Sequence, residues 1–582
     1  VPIIFHTMSF YAIVGDDLVD RVFLQPASAG GRYGDLNGGV VGLDLRSPRK
    51  DRVGGFVDPG IGQASLAIEG PINDKSRFYF GIRRSYYDIL INLIMPKDSP
   101  LDFATAPFFQ DQQLILETDF AKWLTFSLGY IGTLDGMKLL DPDEEEEDPL
   151  IFEMRTDMHR IFLRAIMENE RGVTNKIHPA LTFWNSGFDF SDFLSSTDRH
   201  TTFHLADDLH VPLAKWLAVD AGGLLEVDKL IQYRNVPQTG REDTGPLAST
   251  GDDANLVGTE RATRTWGGVY VSLPIQPVKP LTITPQFRLD YFSALDEAIP
   301  QIRGHIGLSP VEQLRISLSG GRYVQSPSFE ELSEVTGNPA LGPEGAWHLN
   351  AGVLWAPGPW LDIDLQGYVK WLDHQTVSSN TTGVDFGDLA DFADLFMAPS
   401  DDPTHGLSND GAGRIYGAEL FARFDLLRKT RLSGWLGYSL SWAERKDFPD
   451  EDWRWFQHDR RHQLTVLLQL ALPKEVIFGL RWQFQSGAPL TPVLDSTYYA
   501  DVGMFIPEYG NLYSARAKPY HQLDLRFDKR WRKKNHVVDF YVDVQNVYVA
   551  KTSDFTIYSY DYRESASFSS FPAINLAVRV EF

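Results

Sequence analysis

From Ile574 to Phe582 every second side chain is apolar (Ile574, Leu576, Val578, Val580, Phe582), and Asn575, Ala577, Arg579 and Glu581 stand between them. Side chains at i and i+2 share one face of a strand, so the run has one greasy face and one polar or small face. The same phase governs Val538–Val544, Leu523–Phe527, Leu361–Leu365 and Leu314–Leu318. A soluble sandwich with one wet face also gives this pattern. Three properties separate the chain from it. The polar faces carry many full charges. The alternating runs reach ten or more residues, whereas soluble strands usually run about five or six. The connections alternate between short and long.

Ten connections are short, among them Phe120–Trp123, Leu213–Trp216, Ala356–Trp360 and Trp531–Asn535. Eleven lie at the other end. Most are long and polar, including Leu134–Pro149, Asp189–Arg199, Gln325–Ala346 and Ala488–Ala515. Together they join twenty-two strands, an even number that puts both barrel termini on one side. Short turns at one end and long loops at the other are the pattern of an outer-membrane barrel. Only a closed ring satisfies the backbone in lipid without leaving an edge. The fold expected is therefore all-β: a transmembrane antiparallel β-barrel of about 22 strands over residues 51–582, wide enough to need a plug. Trp123, Trp216, Trp360 and Trp531 sit at short turns, where an aromatic girdle would meet the membrane boundary.

Composition removes other classes. With no Cys there is no disulfide, thiolate metal site or cysteine nucleophile. Lys and Arg total 54 against 78 Asp and Glu, a net charge of −24 that disfavours nucleic acid as a partner. No run of 18 apolar residues exists, so a helical span is excluded. There is no G-x-S-x-G elbow, P-loop or H-E-x-x-H. No catalytic residue, cofactor or metal ligand is therefore assigned, and the chain is not expected to be an enzyme. Val1–Phe5 has no basic n-region, so a leader has been removed or the chain starts inside a larger protein.

Gly30-Gly31-Arg32-Tyr33-Gly34-Asp35-Leu36-Asn37-Gly38-Gly39-Val40-Val41 resembles the closing segment of the plug domain of TonB-dependent outer-membrane receptors. Gly413–Leu420 is similar to that family's G-x-E strand, and Tyr323–Leu332 resembles its Q-x-P-x-x-x-E-L loop entry. Ser486–Pro492 and Asp543–Val547 resemble stretches late in its barrel, and the terminal Phe582 resembles its assembly signal. The resemblance runs in order along nearly the whole chain. It implies a receptor in the outer membrane with long loops extracellular and termini periplasmic, taking up a scarce ligand (siderophore, cobalamin, glycan or peptide) by TonB-coupled plug rearrangement. The implied partners are membrane lipid, lipopolysaccharide, TonB and that ligand.

One departure stands out. Only Val1 to about Pro48 matches plug, and it matches the plug's end, so residues 1–50 read as its C-terminal part. No TonB-contacting box shows. Three explanations stay open: the first part of the plug lies outside this chain, the protein is a non-transporting structural or complex-forming barrel, or a partner protein completes the plug. An outer-membrane hydrolase is a third functional class, requiring a titratable His–carboxylate pair at the mouth.

Candidate ligand contacts are the loop aromatics Tyr498, Tyr499, Phe505, Tyr509 and Tyr513, with Trp453 and Trp455. Exposed rings cost solvation unless they meet something. Arg32 and Arg46 are expected to face polar lumen walls, with Glu117 and Asp119, or Asp539 and Asp543, as partners by sign complementarity. Asp141–Asp148 reads as a solvated acidic loop or a divalent-cation collector. His458 and His462 are about 13 Å apart on a strand and cannot share one metal ion there.

Overall fold

The computed structural model describes residues 5–6, 11–89, 102–140, 151–190, 194–237, 255–334, 337–378, 406–427, 430–499, 504–550, 556–559, 561–563, 565–567 and 572–582. From residue 54 onward consecutive antiparallel strands pair as neighbours around a closed ring of twenty-two. The ring shuts where Gly54–Pro59 meets Ala573–Glu581, with Phe56 opposite Glu581 and Val57 opposite Val580. Two positions carry an extra short piece. Ile275–Val278 continues Asn255–Ser272, and Arg454–Trp455 pairs on the same neighbour as His462–Leu472.

The distribution of side chains is the inverse of a soluble core. In Leu281–Phe292, Phe287, Leu289 and Tyr291 are exposed on the outer face, while Arg288 and Asp290 between them are 1% and 0% exposed. Gln301 and Arg303 are likewise buried beside exposed Ile302. Lipid must cover the outer face, and polar groups fill the inner one. Trp123, Trp216, Trp360 and Trp531 are all exposed at the short-turn rim.

The strands are longer than a membrane needs. Leu194–Ala214 and Leu217–Pro237 have 21 residues each, whereas about 9–11 cross a bilayer. The excess corrects two expected loops. Leu134–Pro149 is strand as far as Leu140 and again from Ile151, and Asp189–Arg199 shrinks to residues 191–193 between Thr174–Phe190 and Leu194–Ala214. Beyond the membrane both faces of a hairpin are wet, so the sequence loses its two-residue hydrophobic period while the backbone stays paired. The Asp141–Asp148 run lies outside the described residues.

Residues 11–50 run against the inner face. Val19–Gln25 and Val40–Leu45 form a separate antiparallel hairpin. Ile13, Val14 and Leu18 pack on wall residues Phe56, Ala67, Tyr79, Ile115, Ile131 and Met158.

Candidate functional site

Among the contacts that hold the lumen segment, three are built from several groups each. The first grips residues 28–37, a turn-rich stretch whose carbonyls a sheet does not satisfy. Arg303 donates Nη1 to the carbonyls of Gly30 (2.8 Å) and Tyr33 (2.6 Å), and its guanidinium lies 4.1 Å from the centre of the Tyr323 ring. Tyr323 donates its hydroxyl to Ala29 O at 2.8 Å. Arg288, oriented by Asp290, donates to Gly31 O at 3.1 Å. His348 accepts from Ser28 N at Nδ1 (3.2 Å) and reaches Asn37 O through Nε2 (2.9 Å), a pattern that requires the neutral Nε2–H tautomer. Gly34 must be glycine here, because a Cβ would fall 2.1 Å from Arg288 Nη2.

The second contact joins this stretch to a mouth loop. Ser326 N donates to Asp35 Oδ1 at 2.8 Å, and Leu36 N donates to Val324 O at 3.0 Å. Burial pushes the Asp35 carboxyl up to about 6, against the opposing pull of the Ser326 amide and Arg264. The loop also reaches along the same side of the wall, to strands three and four places away: Arg264 donates to Ser326 Oγ and Pro327 O and lies 4.6 Å from the Phe329 ring centre, while Arg234 pairs with Glu330 at 3.1 Å.

The third lies toward the start of the segment. His6 is wholly buried between Asp135 (Nδ1–Oδ1, 2.7 Å) and Asp111 (Nε2–Oδ2, 3.1 Å), and Arg83 donates to Asp111 at 2.7 Å. Burial opposes protonation of His6, yet hydrogen bonds to the two carboxylates and their field outweigh it and raise its pKa. Composition gave no sign of this triad, because His6 is more than a hundred residues from either carboxylate.

Arg32 and Arg46 do lie against inner walls, with partners other than those expected. Arg32 pairs with Asp208 at 2.9 Å, and Arg46 with Glu69 at 2.7 Å. Glu117 is already saturated by Arg77, Arg164 and Ser127. Asp119 takes Arg77 and, from the segment, Lys50 at 3.0 Å. Asp539 is held by Arg530. Sign complementarity alone cannot fix register across a lumen.

The loop aromatics separate into three groups. Tyr498 and Phe505 face each other across the hairpin Val493–Tyr499/Met504–Tyr509, ring centres 5.1 Å apart, with Tyr498 exposed. Tyr509 is half-buried opposite Val493 on the same hairpin, and the Tyr499 side chain lies outside the described residues. Tyr513 is 1% exposed beneath Arg454, which removes it from a ligand's reach. Trp453 stacks on Arg414 at 4.4 Å, and Trp455 on Arg461 at 4.2 Å while pairing opposite Glu444. Arg414 and Glu444 share the outward phase of Trp371, so both tryptophans stand on the outer wall and not over the mouth. His462 hydrogen-bonds Tyr438 at 2.8 Å, and His458 packs on Phe456.

Residues 165–547 match the family model for the TonB dependent receptor-like β-barrel. Among curated proteins none matches the sequence. Similar solved structures include the outer membrane transporter YddB from Escherichia coli (12% identity, TM-score 0.67, covering 97% of this chain and 85% of that one). The siderophore receptor PirA from Pseudomonas aeruginosa is similar at 14% identity and TM-score 0.63 (97% and 87%). The FrpB iron transporter from Neisseria meningitidis is similar at 13% and 0.67 (97% and 87%).

Proposed function

The chain belongs to the TonB-dependent receptor family of outer-membrane β-barrels, and on that premise we propose that it takes up a scarce ligand through its lumen by TonB-coupled rearrangement of a plug. Residues 1–50 are the C-terminal part of that plug and residues 51–582 the barrel. The long connections face outward, and the short turns and barrel termini face the periplasm.

The observation that carries this reading is the direct bond between mouth and segment, Ser326 to Asp35 and Leu36 to Val324. A ligand that displaces the loop disturbs the segment's grip in the same step. Over residues 28–50 the grip is mostly arginine on backbone carbonyl and ion pair, bonds that water can replace one at a time. A continuous apolar core would have to rupture at once. The hairpin also leaves Val22, Leu24 and Val41 exposed, an apolar face suited to the rest of a plug sheet.

Iron chelates are the first ligand class to test, since similar solved structures include a siderophore receptor and an iron transporter. The full coding sequence would be expressed in cells lacking their own receptors, with and without functional TonB. Uptake of radiolabelled ferric chelates is then measured, followed by cobalamin, glycans and peptides. The expected result is TonB-dependent uptake of one class. A correctly inserted barrel that takes up none in either strain overturns transport and leaves a structural barrel.

A further inference from the structure

Just beyond its apolar band the outer wall is mostly aromatic or carries paired charge. Trp347 stands opposite Trp371, and Tyr416 stacks on Trp442 at 5.4 Å. Three outward arginines there each have a carboxylate: Arg84 with Asp88, Arg322 with Asp373, and Arg414 with Glu444.

One arc differs. Ile151–Glu168, Thr174–Phe190, Leu194–Ala214, Leu217–Pro237 and Asn255–Ser272 are successive neighbours. Arg155, Arg199, Lys229 and Arg261 are exposed on them, in the phase of exposed Ile161, Phe203, Ile231 and Val257. Among the described residues none of the four has an ion pair or hydrogen bond. Arg199 and Arg261 flank Ile231 in register, so their Cα atoms are roughly 10 Å apart, with Lys229 about 7 Å below Ile231. Two nearby acids on this face are engaged: Asp157 accepts from Asn185 at 2.8 Å and Glu153 pairs with Lys138, while exposed Asp189, opposite Glu153, makes no ion pair with the four cations among the described residues. The four cations lie eleven to fifteen residues from the short-turn ends of Ile151–Glu168, Leu194–Ala214, Leu217–Pro237 and Asn255–Ser272. At a tilt near 40° that is roughly 28–38 Å, just past an apolar band about 25 Å tall.

Directly below them the wall is hollowed. Gly223 and Gly267 floor a groove of about 520 Å³ between Leu205, Leu225, Val269 and Leu289, with Asp207 at its foot. Leu225 lies four residues below Lys229 on the same face of the same strand. Cations at headgroup depth above an apolar groove at acyl depth are the two halves of a lipid site.

We infer that this arc binds a phosphorylated lipid of the leaflet on the long-loop side, its phosphates on Arg155, Arg199, Lys229 and Arg261 and one acyl chain in the glycine-floored groove. An unpaired cation at this depth gains from anionic headgroups, and a glycine-floored groove gains from a chain that fills it. The inference needs the barrel and its membrane level but not transport.

The full protein is placed in phosphatidylcholine nanodiscs, and binding of diphosphoryl lipid A and of its dephosphorylated form is measured. Wild type should prefer the diphosphoryl form. R155Q/R199Q/K229Q/R261Q should weaken that binding roughly tenfold or more and erase the preference. G267L should weaken both forms severalfold while keeping the preference. A Cβ at Gly267 meets nothing nearer than 3.7 Å, so this variant should fold, as heat-dependent gel mobility checks. K75Q/K122Q/K215Q/K279Q removes the same charge at the short-turn rim and should bind like wild type. Free inorganic phosphate at millimolar concentration should not compete. The inference is overturned if the first variant binds like wild type, if the rim variant weakens equally, or if free phosphate displaces the lipid. Should the fourfold variant fail to fold, R199Q/K229Q and R155Q/R261Q carry the same test in halves.

Discussion

Arg46 and Glu69 form a two-pronged pair across the gap between lumen segment and barrel wall, Nη1 to Oε2 at 2.7 Å and Nη2 to Oε1 at 2.9 Å. Glu69 also accepts the Arg49 amide at 3.0 Å. Removing the carboxylate strands a partly buried guanidinium and an amide together. Glu69→Ala should loosen the segment's exit from the lumen by about 2 kcal/mol, because breaking one side of such a pair costs more than the pair is worth. Hydrogen exchange at residues 42–50 should speed up by roughly tenfold to thirtyfold, with the barrel strands unchanged. Unchanged protection there would show that the pair does not hold the segment.

Gly34 tests the close approach of backbone and guanidinium. Gly34→Ala puts a methyl group within 2.1–2.4 Å of Arg288 Nη2, Nε and Cζ, which are fixed by Asp290 and cannot swing away. The barrel should still assemble, but protection at residues 29–37 should fall at least tenfold, the scale of an overpacked contact costing about 1–3 kcal/mol. Normal protection in this variant would contradict the packing described.

Asp35 makes the mouth contact pH-sensitive. Its carboxyl is raised by burial to about 6 in the docked state, so folding there favours the protonated form. Docking is then strongest at low pH and weakens as pH rises from about 4 through 6, by up to about 3 kcal/mol. Asp35→Asn keeps an acceptor for Ser326 N and tolerates the left-handed backbone at this position (φ 50°). It should flatten the dependence and hold the segment more tightly above pH 7. Exchange rates of Ser326 and Leu36 amides against pH report it. A wild-type profile flat between pH 4 and 7 would sink the argument.

His6 carries the opposite charge type and a later window. The groups facing it are Asp111, Asp135, Arg83, Gln113 and the rings of Phe109 and Tyr11. With His6 protonated, two carboxylates balance two cations. Deprotonation leaves one buried negative charge in excess. Since the docked pKa is raised above the ordinary 6.5, the stabilisation is complete below 6.5 and fades as pH climbs past the raised value. Protection at residues 11–18 should drop as pH climbs above 6.5 in the wild type and be low and flat in His6→Gln.

The barrel was legible because a bilayer imposes a two-residue period on every strand that crosses it. Ile574–Phe582 announces its outer face without any knowledge of its neighbours. Leu134–Leu140 and Asp189–Arg199 were not legible, because wet hairpins above the membrane lose that period. The site was legible in part. Gly30–Val41 carries its need for close approach in its glycines, whereas the partners of Arg32 and Arg46 depend on the register of segments far apart in sequence. Trp453 and Trp455 looked like mouth aromatics by composition, and only the strand phase of Arg414 and Glu444 puts them outside. Arg288 and Arg303 carried a readable signal, full charges on the inward phase of otherwise alternating strands.

The most direct test of plug movement uses the absence of any native Cys. A Cβ added at Gly31 would lie 3.2 Å from Ser272 Oγ, close to the roughly 3 Å that separates a Cβ from the partner's sulfur across an S–S bond of about 2.05 Å. In G31C/S272C the oxidised bridge ties the segment to the wall, and a reductant frees it. Uptake of the ligand found in the ferric-chelate screen should stop on oxidation and return on reduction, while each single variant transports like wild type. Transport at full rate with the bridge demonstrably closed would contradict the claim that this segment must move for the ligand to pass.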